Sequence, residues 1–388
     1  MSSILNHSAR IAIYVPYVVF GYLSLFTLGL LDNARGPFFP DLSTSLELSD
    51  SKASFLFVTT SLVSFFIGRA VPFFLKKISL LNLTRLAHLI MGLGFFALAW
   101  TYDFKTLVLA AALFGVGFGT INVSQNILIL DGSTARTRRR LLSGLHSIYA
   151  LASLLSPLVV SLLYSNGFDW RTSMMLMSLA PLIALVSSFS CHNQPHVSGS
   201  EAAELPARFR FDVILFSIGA GFYVIAELLL SSRLVLFLQR QHGWAPQEAS
   251  LLLSGFFIAM FISRLFFTFR ELKNIQNIQI MKVALCFSAV FFYLAVAFSP
   301  YFFVVVGLFM GPIFGVSIDY VSEIFSYASS RAIASVLAIQ SLVIVSMHYI
   351  IGLITESLGI QVAMLLGPLF IGLSYLFMIL EPWNKQKK

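Results

Sequence analysis

Long apolar runs alternate with short polar connections from one end of the chain to the other. Runs long enough to cross a bilayer lie at about 14–38, 53–74, 84–101, 106–130, 141–163, 172–190, 211–237, 249–269, 280–299, 301–325, 332–355 and 360–380. Each is near the ~20 residues that a spanning helix needs. The pattern predicts an all-α polytopic membrane protein with twelve transmembrane helices. The longest connection, Cys191 to Arg210, carries His, Asn, Pro, Ser and Glu with few large apolar residues. It sets off two six-helix bundles, 1–190 and 211–388, joined by a linker at 191–210.

The two halves repeat. Lys52-Ala53-Ser54-Phe55-Leu56 returns as Glu248-Ala249-Ser250-Leu251-Leu252, and Phe66-Ile67-Gly68-Arg69 as Phe261-Ile262-Ser263-Arg264. Gly115, Phe118 and Gly119 return as Gly311, Phe314 and Gly315. The offset is nearly constant, about half the chain. Six-span halves in the same orientation make the bundles pseudo-symmetric about an axis along the membrane normal.

Composition removes several alternatives. The chain is 58% hydrophobic and 11% charged, more apolar surface than a soluble domain could bury. The net charge of +8 does not point to nucleic acid, because the bases fall in loops and at span ends. Most gather on one side, among them Arg10, Arg69, Lys76, Lys77, Arg85, Arg136, Arg138, Arg139, Arg140, Arg264 and Lys282, against Arg35, Lys52, Lys105, Arg171, Arg233 and Arg240 on the other. By the positive-inside bias, both termini and the linker are expected in the cytoplasm, in a bacterial inner membrane. Cys191 lies in a polar loop and Cys286 in an apolar span, so no disulfide framework is expected. Span one shows no small-residue cleavage site, so no cleaved signal peptide is expected.

The polar positions inside the spans carry the candidate chemistry. Gly29 to Pro40 closes span one with an acid, an amide and a base, Asp32, Asn33 and Arg35, followed by Pro37. Charges at membrane depth are costly and normally face a cavity or a partner. Proline removes a helical donor, so a broken helix lining a solute path is expected here. Deep ionisable residues fall on spans one, seven and ten: Asp32, Arg35, Glu227, Arg233, Asp319 and Glu323. Asp32 and Arg35, three apart, are either a neutral structural pair or a protonatable carboxylate tuned by its neighbour. Glu227 has no base within one turn of its own helix. It is a second candidate for proton coupling, or a hydrogen-bond partner of span one or eleven. Arg233 either binds an anionic group or snorkels outward. Asn122 and Asn126 share a face of span four and suit hydroxyl-bearing solutes, or tie helices together. His146 and Tyr149 share a face of span five, for proton relay or packing. His348 and Tyr349 on span eleven carry the same two readings, and Gln340 is a further binding candidate. Glycines at four-residue spacing, Gly307, Gly311 and Gly315 on span ten and Gly115 with Gly119 on span four, predict close helix packing.

Gly115-Val116-Gly117-Phe118-Gly119 followed by Asn122 and Asn126 is similar to the fucose permease group of sugar–proton symporters. So is Leu145-His146-Ser147-Ile148-Tyr149 ending in Ser156-Pro157, although Ala150 and Ala152 stand where that group carries glycines. The span count, repeat and central loop resemble the wider major facilitator superfamily over the whole chain. The family's usual loop between spans two and three is degenerate at Gly68 to Lys77, without its acidic member. The resemblance implies the major facilitator fold, a cavity lined by spans one, four, seven and ten, and a sugar-like substrate.

The expected function is secondary transport of a small polar organic solute, coupled to protons through Asp32 and Glu227, by alternating access. Substrate contacts are expected from Asn33, Arg35, Asn122, Asn126, His146, Tyr149, Arg233, Asp319 and Gln340. The repeat places Arg69 with Asp131, and Arg264 with Glu323, as two ion pairs of a cytoplasmic gate, or as headgroup anchors. No metal cluster, nucleophile triad or nucleotide-binding loop is present in the sequence, so no cofactor and no enzymatic role are expected. The partners are a solute, protons and the lipid bilayer, and a monomer is expected. The alternatives are a proton-driven exporter of drug-like or siderophore-like molecules and a non-transporting receptor or scaffold.

Overall fold

A computed structural model describes residues 12–134, 136–194, 207–269, 275–324 and 329–379. The helices are α1 (Val15–Ser45), α2 (Asp50–Ala53), α3 (Phe55–Phe74), α4 (Leu80–Ala99), α5 (Phe104–Gly132), α6 (Arg138–Ser165) and α7 (Trp170–Met177). They continue as α8 (Pro181–Ser188), α9 (Ala207–His242), α10 (Pro246–Phe269), α11 (Asn277–Ala297), α12 (Phe302–Ile324), α13 (Ser329–Leu358) and α14 (Ile360–Ile379). Eleven described stretches are long and apolar enough to cross a membrane, and Ile344–Leu358 of α13 is a shorter apolar stretch. The fold is the all-α polytopic one that the apolar pattern predicts.

Local chemistry sets the ends. A capping box starts α5: Asp103 accepts from the Thr106 amide at 2.8 Å, and the Asp103 amide donates to the Thr106 hydroxyl at 3.1 Å. Glycines in the left-handed region, Gly167, Gly243 and Gly359, follow α6, α9 and α13. Span two is divided at Ser54 and span six at Ser178 to Ala180. There Pro181 opens α8, where a missing N–H costs nothing. Pro37 and Pro40 do not break α1 as expected; the helix continues to Ser45. Phe38, Phe39 and Leu42 beside them are fully buried, and that packing holds the last turns where two hydrogen-bond donors are missing.

The chain forms two compact units. One holds the described residues of 1–32, 62–153 and 171–199, the other those of 33–61, 154–170 and 200–388. These units differ from the two sequence halves, because the second takes the ends of spans one, two and five. In the first unit, Tyr17, Phe20, Leu80, Leu81, Leu128, Ala184 and Cys191 form a core cluster. Gly94 and Gly117 let α4 and α5 meet backbone to backbone, at Phe114 and Met91. In the second unit, Gly307 and Gly311 of α12 pack on the carbonyls of Phe256 and Met260 of α10, as their spacing predicts. Gly315 has open space beside it and takes no part. Gly36 of α1 lies against the Ser231 carbonyl of α9. Residues 36 and 231 are separated by the same offset as Phe66 and Phe261, so spans one and seven cross at equivalent points of the repeat.

Candidate functional site

Asp32 stands on α1 in the first unit, half-buried, and accepts a hydrogen bond from the Tyr149 hydroxyl at 2.8 Å. Gly29, one turn earlier, makes room: a Cβ there would lie 3.0 Å from the Tyr149 ring and from Ala152. The glycine admits α6, and α6 delivers the hydroxyl to the carboxylate. On α5, the Asn126 amide donates to the Asn122 carbonyl of its own helix at 2.9 Å, and Gln125 does so at 3.3 Å. The Asn122 side chain is exposed, and Asn126 is half-buried. His146 lies in α6, but its side chain is outside the described residues, as is that of Gln340 in α13.

Glu227 on α9 occupies the position in the second unit that the repeat makes equivalent to Asp32, at the offset separating Phe66 from Phe261. It is held from two sides. The Tyr223 hydroxyl lies 2.5 Å from Oε2 and 3.1 Å from the Met310 carbonyl, while Nη2 of Arg264 on α10 reaches Oε1 at 3.4 Å. Arg264 Nε also donates to the Gly311 carbonyl at 3.1 Å. The base missing from its own helix therefore comes from α10. Arg264 was expected beside Glu323 at a gate; its carboxylate partner here is Glu227, and Glu323 is exposed at the end of α12. A half-buried acid attracts the guanidinium more strongly than one at the water-facing end of a helix.

Arg233, two turns further along α9, does not snorkel. It is 1% exposed. Its guanidinium carbon stands 3.9 Å from the Phe39 ring centroid and 5.1 Å from that of Phe57, and Nη2 donates to Ser54 Oγ at 2.7 Å. Ser54 in turn donates to the Asp50 carbonyl at 2.5 Å. Nη1 of Arg233 is buried with no hydrogen-bond partner. The Phe57 ring is shared: Arg35, 6% exposed, stands 5.1 Å from it, and His348, 4% exposed, stacks on it at 4.9 Å. Nδ1 of His348 is also buried without a partner. A cation over an aromatic face gains about 2 kcal/mol when desolvated. Burying the ion costs several kcal/mol, so the rings offset only part of that cost.

The remaining candidates are scattered. Asp319 on α12 is exposed and bonds to nothing among the described residues, and Asn33 is buried in α1. Arg69 is exposed and lies over Phe65 at 5.3 Å, while Asp131 is buried, so that expected gate pair is not formed. An ion pair the sequence did not suggest is Arg240 with Asp50, at 2.7 Å. Asp41 with Tyr164, at 2.6 Å, was also missed. Tyr223 was missed too, although its position four residues before Glu227 puts both on one helix face.

An all-α polytopic chain with charged groups buried in its spans has the architecture of a membrane transporter. The family model of the Major Facilitator Superfamily matches residues 21–212. A curated relative, Protein TsgA of Salmonella newport, is 21% identical over 360 residues, covering 91% of this chain and 89% of that one. Among solved structures, a bacterial homolog of the human lysosomal transporter Spinster superposes with a TM-score of 0.75 at 15% identity, covering 95% and 96% of the two chains. A D-xylose-proton symporter gives 0.73 at 16% identity, covering 96% and 99%. The nucleoside transporter NupG gives 0.71 at 14% identity, covering 94% and 98%. Together these likenesses support a transporter of the major facilitator type. The chain is a transporter rather than an enzyme.

Proposed function

We propose that the chain carries a small polar organic solute, sugar-like in its hydroxyl content, across a bacterial inner membrane by symport with protons. It works as a monomer by alternating access of the halves 1–190 and 211–388, with both termini and the linker cytoplasmic. The observation that carries this reading is the pair Asp32 and Glu227. They are half-buried carboxylates at equivalent points of the repeat, each beside a tyrosine hydroxyl. Such a group can change its protonation when the path opens to one side or the other. The likeness to a D-xylose-proton symporter and a nucleoside transporter supports a polar, hydroxyl-bearing solute. Asn122 and Asn126 supply amides for it, and Asn33, Tyr149, Asp319, His146 and Gln340 remain its candidate contacts.

The test uses purified protein in proteoliposomes, with the solute first found by thermal-shift screening. An imposed pH gradient drives uphill accumulation in the wild type. Asp32→Asn or Glu227→Gln abolishes that accumulation while solute counterflow persists. Undiminished accumulation in both variants would make the two carboxylates structural.

A further inference from the structure

Arg233 is a buried cation that lacks a carboxylate partner among the described residues. Nη2 is spent on Ser54, the faces of the guanidinium on Phe39 and Phe57, and Nη1 on nothing. The charges whose fields act on it are Asp50 and Arg240, which oppose each other and are bound to each other at 2.7 Å. The second guanidinium, Arg35, and the imidazole of His348 meet the same Phe57 ring, and the fields of Arg35 and Arg233 both reach that imidazole. Two arginines and a histidine thus share one apolar nest formed by α1, α3, α9 and α13. Buried donors without acceptors are rare, and each needs an explanation. A structural arginine of this depth is ordinarily matched by an acid, because an unmatched one costs stability.

We infer that Arg233, Arg35 and His348 form a binding site for the carboxylate or phosphate group of the transported solute. The inference rests on the transport reading above and narrows its substrate to small organic anions. The planar guanidinium fork matches a carboxylate or phosphate with two parallel hydrogen bonds, and Nη1 is the donor left for it. The unpartnered Nδ1 of His348 is either a further donor or an acceptor, by tautomer. Phe39 and Phe57 hold the cations while the site is closed, and the anion displaces them as the helices part. Arg35 and Arg233 come from opposite halves of the sequence, so one anion bound by both couples to the relative motion of those halves.

The experiment measures binding to purified full-length protein at constant ionic strength. The probes are sodium succinate, inorganic phosphate, D-xylose and uridine, with chloride as the balancing salt. Succinate or phosphate binds the wild type. The affinity falls at least tenfold in Arg233→Lys, which keeps the charge and loses the fork, and several-fold in His348→Asn. Each variant is first shown to be monodisperse. If Arg233→Lys fails to fold, Arg35→Lys carries the same test. A wild type that binds D-xylose or uridine but neither anion overturns the inference and leaves the transport reading standing. Anion binding that is unchanged in the variants overturns it as well. A wild type that binds succinate through Arg233, yet moves no probe across proteoliposomes, supports the anion site and sinks the transport reading instead.

Discussion

Glu227 receives a hydroxyl from its own helix and a guanidinium from α10, and the two supports are of different kinds. Tyr223 still donates to a neutral amide, whereas Arg264 needs the charge. Glu227→Gln therefore leaves Arg264 with only part of its environment, and Arg264→Gln leaves a half-buried carboxylate beside one hydroxyl. The two changes are expected to be non-additive, with a coupling of about 1–2 kcal/mol, as for contacting charged residues. Melting temperatures in detergent read this out: Arg264→Gln with Glu227→Gln melts higher than the two single losses summed. Simple additivity means that the contact has no energetic weight. The candidate acids and bases were legible one by one, since a charge in an apolar run stands out. Their partners were not. Tyr149 is 117 residues from Asp32, and the aromatic nest of Arg233 is made of phenylalanines. In a chain with 39 of them, those that meet lipid and those that meet a cation look alike.

Helices are the level at which the sequence is most informative, because span length and glycine spacing are imposed by the membrane itself. The four-residue spacing likewise foretold that Gly307 and Gly311 pack closely, but not that Gly315 stands apart. What the pattern missed is the continuity of α1 past two prolines, since a proline's local cost is visible in sequence while the packing of Phe38 and Phe39 that offsets it is not. Gly36 shows how close that packing is. A Cβ there meets the Ser231 backbone carbonyl of α9, which cannot rotate away as a side chain would. Gly36→Ala should destabilise the protein by about 1–3 kcal/mol, the usual range for overpacking. Gly372 on α14 has nothing within 4 Å of that point. Gly372→Ala should therefore be neutral or stabilising by up to about 1 kcal/mol, from helix propensity alone. Thermal unfolding of the two variants side by side decides it. Equal shifts would mean that the α1–α9 approach is not tight.

At the scale of the whole molecule, orientation and access become measurable. Cys191, which lies past the end of α8, is 5% exposed, and burial raises its thiol pKa. Less thiolate at neutral pH makes it a slow target on either side of the membrane, and its labelling should quicken as pH rises. The exposed neighbour is the better probe of sidedness. With Cys191→Ser and Cys286→Ser in place, His192→Cys should resist an impermeant maleimide in intact cells and react after permeabilisation. Labelling in intact cells would reverse the topology. The Arg240–Asp50 pair joins the end of α9 to the start of span two, and a latch there is open to test. Unlike the gate expected at the arginines of spans two and eight, this pair joins span two to span seven. The pair is unequal: the Arg240 side chain is 41% exposed and that of Asp50 only 11%. Asp50→Asn leaves a cation that water can reach, so it should cost no more than about 1 kcal/mol. Arg240→Gln strands a poorly hydrated carboxylate and should cost about 1–3 kcal/mol. If the pair latches this end of the protein, its loss should open that end more often. Ser161, buried and donating to the Gln247 carbonyl at 3.0 Å, reports that opening when replaced by cysteine. In a Cys191→Ser, Cys286→Ser background, Ser161→Cys should react with external maleimide several-fold faster when Arg240→Gln is added. The increase should be smaller with Asp50→Asn, and it should be reversed in part by the swap Asp50→Arg with Arg240→Asp. Labelling that ignores all three changes would mean that the ion pair ornaments the surface and holds nothing shut.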